Sequence, residues 1–109
     1  MIVSEKNISD ALAYLAIDPH PTALARKYVV DAETKSKRVY AENFLEAGGS
    51  VDARKATAES SGEYSAAKSE EAEAILDLER HKARSRAAEM LIEVWRSENA
   101  NVRAAERVR

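Results

Sequence analysis

EYSAAKSEEAEAILDLERHKARSRAAEMLIEVWRSENANVRAAER, residues 63–107, contains neither proline nor glycine. That is a run of about 45 residues, which as one helix with a 1.5 Å rise per residue would measure about 70 Å. Two heptad-spaced rows run down it. One is Tyr64, Glu71, Leu78, Ser85, Ile92 and Asn99; the other is Ala67, Ala74, His81, Ala88, Trp95 and Val102. The 4-3 spacing is that of a coiled-coil seam, weakened by the polar members Glu71, His81, Ser85 and Asn99. Alanine at seam positions lets helices approach closely but buries little area. Between Ala83 and Ala105 the apolar set widens. Ala87, Ala88, Met90, Leu91, Ile92, Val94 and Trp95 spread over roughly 200°, against the ~100° stripe of a surface helix. One neighbour cannot cover such an arc, so both an intramolecular helix and a second copy of the chain are expected against it.

Upstream, Ile8, Leu12 and Leu15 mark a short helix over 7–17, with Ser4 or Asn7 available to cap it. Asp18-Pro19-His20-Pro21 breaks it, since each proline pushes the preceding residue out of the α region, and Pro21 suits the first turn of the next helix. A second helix is expected over 21–47 on Leu24, Tyr28, Ala32, Val39 and Leu45, with Val29, Val30, Tyr40 and Phe44 widening its face. Gly48 is expected as its left-handed stop, with Gly49 relaxing the turn. Ser50 reads as a new N-cap with Asp52 in the first turn, for a third helix over 51–59 ended by Ser60-Ser61-Gly62. The expected fold is all-α: one helical domain, 1–109, forming an elongated antiparallel hairpin or coiled coil. Helix two lies along the last helix, the short helix sits at the bend, and the N-terminal helix lies near the open end. The last helix outruns its partner, and the overhang is the Trp95 region.

Composition agrees with a helical chain. Of 109 residues 45% are hydrophobic, but 21 are alanine, and there are only 3 Gly and 2 Pro. Few turn residues argue against a sandwich or barrel, and so small a stock of large apolar side chains argues against an enclosed pocket. Without cysteine there is no disulfide, thiolate or cysteine zinc chemistry. No run approaches the ~20 apolar residues of a membrane helix, and Met1-Ile2-Val3-Ser4-Glu5-Lys6 lacks the pattern of a signal peptide. A cytoplasmic protein with no membrane contact is expected. Net charge is −2, unevenly spread: residues 41–79 carry three basic and ten acidic groups, residues 80–109 eight and four.

Catalytic chemistry finds little purchase. There is no P-loop, no nucleophile elbow, no dinucleotide fingerprint and no HExxH spacing. His20 and His81 lack partners at metal-ligand spacing, and Glu73 with Asp77 reads as an exposed i,i+4 pair. No enzyme activity, cofactor or metal is expected. Met90, Leu91, Val94, Trp95 and Val102 are the expected oligomer or partner interface, with Trp95 as anchor and Asn99 as the partner of its indole N–H. Arg80 and Arg84 project some 200° away from Lys82 and Arg86, so these four do not make one patch. Lys82 and Arg86 align with Arg96, Arg103 and Arg107 as possible nucleic-acid contacts. Glu89 and Glu93 share that face and can pair at i,i+3 with Arg86 and Arg96.

The stretch Ala87-Ala88-Glu89-Met90-Leu91-Ile92-Glu93-Val94-Trp95-Arg96-Ser97-Glu98-Asn99-Ala100-Asn101-Val102-Arg103-Ala104 resembles the last helix of a family of small, little-characterised phage and prophage proteins. Its pattern is A-A-E-x-x-I-E-x-W-R-x-x-x-A-N-x-R-A. Ala25-Arg26-Lys27-Tyr28, and Ser50-Val51 with Arg54-Lys55, Ala58 and Tyr64, resemble the same family, whereas Asp18-Pro19-His20-Pro21 departs from it. The resemblance implies an accessory role near phage recombination or replication, and it brings no catalytic residues. The implied partners are a second copy of the chain and a phage or host DNA-processing protein in the bacterial cytoplasm. Direct DNA binding by the basic face is the alternative, and a phage structural or assembly adaptor a further one.

Overall fold

The computed structural model describes residues 3–108, and among them there is no strand. Helix α1 spans Glu5–Leu15, α2 Pro21–Glu46, α3 Val51–Ser60 and α4 Gly62–Val108. Every helix start has a side-chain cap. The Ser4 hydroxyl accepts from the Asn7 N–H at 3.1 Å, Ser50 from Ala53 at 3.2 Å, and Ser61 from Tyr64 at 3.1 Å. The fourth cap is a histidine: His20 Nδ1 accepts from the Thr22 N–H at 3.1 Å, directly ahead of Pro21. Each cap satisfies one of the donors a helix start leaves open. The left-handed residue after α2 is Gly49, at φ 99°, rather than Gly48. The helix stops at Glu46, and the positive φ falls one residue ahead of the Ser50 cap.

The chain divides into two compact units, residues 23–79 and residues 1–22 with 80–109. Within the first, α2 and α4 run antiparallel. Lys35 meets Glu70 at 2.8 Å, Ser36 meets Glu71 at 2.9 Å, and Tyr40 packs edge-on to Tyr64 with centroids 5.4 Å apart. Phe44 stacks on Tyr40 from one turn further on. The buried residues are mostly small: Ala25, Ala58 and Ala67, with Val39, Leu78 and Ser36. Alanines thus supply half of the buried positions of this unit, beside the aromatic contacts of Tyr40 with Tyr64 and Phe44.

In the second unit α1 lies antiparallel to the later part of α4. The Val3 N–H donates to Glu98 Oε2 at 3.1 Å at one end, and Tyr14 packs beside His81 and Arg84 at the other. Ala11, Tyr14 and Ala88 form the buried cluster, with Leu15, Leu91 and Ile92 packed on it. Thr22, in the first turn of α2, shares a hydroxyl hydrogen bond of 3.1 Å with Ser85.

The two heptad rows match the burial along α4. Eleven of the twelve positions, from Tyr64 to Asn99, are buried or half-buried; Val102 alone is exposed. The polar members meet polar partners, Glu71 with Ser36 and Ser85 with Thr22, while the His81 carbonyl faces the Tyr14 hydroxyl at 3.5 Å. Glu71 and Ser85 are tolerated in the seam because each finds a side-chain hydrogen-bond partner on α2.

Candidate interaction surfaces

The five residues expected at an interface divide by face. Leu91 packs on the Ala11–Tyr14–Ala88 cluster. Trp95 is half-buried, with Ile8 and Leu12 of α1 on one side and Val3, Glu98 and Asn99 on the other. These two serve the intramolecular contact. Met90 is 61% exposed, Val94 39% and Val102 55%. Met90 and Val94 are i and i+4 and share one face of α4, with Ala83 and Ala87 also exposed on it. Val102 instead borders the Trp95 groove. Among the described residues the indole N–H of Trp95 makes no hydrogen bond to Asn99, so the expected pairing does not form.

The basic face is uneven. Arg96 is tied to Glu93 at 3.2 Å, as its i,i+3 spacing suggested, whereas Arg86 forms no such pair with Glu89. Lys82 is half-buried and engaged with neighbouring groups. Arg103 and Arg107 are exposed, flank a shallow groove floored by Ala100 and Ala104, and join no ion pair among the described residues. Together with Arg86, which is likewise exposed and in no ion pair among the described residues, they are the cations of this face available to an anionic partner. Arg84, on the other side, lies over the Tyr14 ring at 4.1 Å.

A groove between α2 and α4 escaped the sequence reading. Glu33, Ser36, Lys37, Tyr40, Tyr64, Lys68 and Glu71 line it. At its floor Glu71 Oε2 accepts from the Ser36 hydroxyl at 2.9 Å and from Lys68 Nζ at 3.1 Å. The hydrogen bond from Lys68, then that from Ser36, holds the Glu71 carboxyl below its usual 4.5. The same carboxylate raises Lys68 above 10.5. A carboxyl depressed in the folded state stabilises fully above its unfolded pKa, and that contribution is lost as pH falls through the folded value. The melting temperature of Glu71→Gln is thus expected to lie below that of the native chain at pH 7 and to converge with it toward pH 3. An equal gap at both pH values would show that the ionised carboxylate is not what matters. The pattern that could have revealed this groove is a glutamate at a seam position, which demands a donor from the facing helix.

Among the described residues no group of three or more His, Cys, Asp or Glu is placed to hold a metal, and no helix is long and apolar enough to cross a membrane. His20 packs edge-on to Tyr14 with centroids 4.9 Å apart, its Nε2 buried without a hydrogen-bond partner. Arg54 Nε is likewise buried without one. No family model, curated protein or solved structure matches the chain.

Proposed function

We propose that this chain is a non-enzymatic helical interaction protein that associates with copies of itself through the exposed side of α4 and acts as an accessory factor in DNA recombination or replication of a phage. The observation that supports self-association is the exposure of Met90 and Val94 on one face of the 90–95 stretch of α4, where the intervening Leu91, Ile92 and Trp95 are half-buried on the side of α1. Apolar surface left over after the intramolecular partner has docked is the usual mark of an intermolecular one. The recombination setting rests on the family resemblance alone, carried chiefly by the 87–104 run. Sedimentation of the full chain across a concentration series tests the proposal. A concentration-dependent dimer that Met90→Glu removes, with helicity unchanged, is the expected result, and a monomer throughout would overturn it.

A second reading is supported by the freedom of Arg103 and Arg107: direct DNA binding along the last turns of α4. It expects duplex or single-strand affinity that falls steeply with salt and weakens when Arg103 and Arg107 become Glu. Titration at low salt with no binding disposes of it.

A further inference from the structure

We propose that α4 pairs antiparallel with α4 of a second copy of this chain through Met90, Val94, Ser97, Asn101, Ala104 and Val108, with Glu93 of each copy opposite Arg107 of the other. This deepens the self-association reading and rests on it. The six positions follow one another at steps of four, three, four, three and four. That is a second heptad seam, rotated by about 120° from the row through Ala88 and Trp95 that α1 and its neighbours occupy. All six are exposed, Met90 to 61% and Val108 to 87%.

A seam of this length says which partner it suits. Placed antiparallel on itself about a two-fold between Ser97 and Asn101, it sets Met90 against Val108, Val94 against Ala104 and Ser97 against Asn101, and the symmetry repeats each layer. Apolar meets apolar, and the only polar pair can hydrogen-bond to itself, so no layer buries a polar group against a methyl. The contact is isologous and closes at two copies.

The flanking charges choose the direction. In this register Glu93 of each copy lies beside Arg107 of the other, two opposite-charge contacts at the flanks of the seam. Arg107 is in no ion pair among the described residues, while Glu93 has Arg96 on its far side at 3.2 Å. A parallel pairing of the same seam would set Glu93 beside Glu98 twice, like against like. The antiparallel arrangement brings only the two Glu98 side chains toward each other, and one oxygen of that carboxylate already accepts from the Val3 N–H at 3.1 Å. A seam of under three heptads makes a small interface, so the dimer belongs among weak associations, with a Kd on the order of 10 µM or above.

The chain has no cysteine, which makes cross-linking unambiguous. Ser97→Cys and Asn101→Cys, each made in the full chain and mixed in equal amounts under mild oxidation, are expected to give mainly the mixed disulfide. Arg107→Glu is expected to weaken dimerisation about tenfold by sedimentation, and Glu93→Arg with Arg107→Glu to restore it. All four positions are exposed, so circular dichroism should show unaltered helicity. A dimer in which Ser97→Cys links to itself, or in which the charge swap fails to rescue, overturns the antiparallel register and leaves self-association standing. A monomer at several hundred micromolar overturns both.

Discussion

Tyr14→Ala is expected to cost about 3–5 kcal/mol, the range for removing a large buried ring, and to release α1 from α4. Tyr14 is 6% exposed and is the only large side chain among the three residues of its buried cluster; the others, Ala11 and Ala88, bring a methyl group each. Leu15, Leu91 and Ile92 pack on that cluster from outside it, so the ring is what they pack upon. The Arg84 guanidinium above the ring and His20 at its edge add polar contacts that depend on the aromatic face. Tyr14→Phe separates ring from hydroxyl. The hydroxyl reaches the His81 carbonyl only at 3.5 Å, beyond a strong hydrogen bond, so the phenylalanine variant should stay within about 1 kcal/mol of the native chain. Hydrogen exchange along 84–98, read beside thermal denaturation, measures both. Equal losses from the two variants would place the stabilisation in the hydroxyl and contradict the packing account.

The periodicity of α4 carried most of the fold. Its two heptad rows needed no knowledge of partners to mark the buried face, because a 3.5-residue repeat selects one side of a helix whatever lies against it. Helix starts were legible for the same local reason: Ser4 and Ser50 are short oxygen acceptors placed just ahead of helical spacing. His20 as a cap was not, since an imidazole nitrogen accepts only in the tautomer that leaves it unprotonated and only when the ring is turned toward the helix start, and neither is written in the sequence. Nor could the two adjacent glycines be told apart, because either tolerates positive φ; the Ser50 cap decides for Gly49.

The candidate surface was half legible. The 200° arc announced that more than one partner faces α4, yet it could not say which residues α1 would take. That choice follows from register. With Val3 level with Glu98 and Tyr14 level with Arg84, the residues in between bring Leu91 and Trp95 under α1 and leave Met90 and Val94 outside. The ion pairs show the same limit. Glu93–Arg96 and Glu89–Arg86 have the same spacing in opposite order, and only the first forms. Side chains of a helix lean toward its N-terminus, so the order of the two charges changes how their ends meet.

Alanines are where the sequence is most uniform and the structure least so, and Ala58→Leu exposes the difference. It is expected to destabilise the 23–79 unit by about 1–3 kcal/mol, whereas Ala56→Leu, two residues earlier on the same helix, should be nearly neutral. Ala58 is 0% exposed and is the one buried residue of α3, while Ala56 is exposed. A helix of 10 residues has little stability of its own, so α3 is held by what that single buried face contacts. Leucine improves neither helix propensity nor capping there and adds three carbons where the packing is closed, which must push α3 outward. Ala58→Ser is the complementary probe: it barely changes volume, and its hydroxyl can bond back to the carbonyl one turn earlier, so its cost should remain below about 1 kcal/mol. Urea denaturation with amide exchange over 51–60 reads all three. If leucine is tolerated at both positions, α3 rests on the surface and the close approach of small residues is not what holds this unit together.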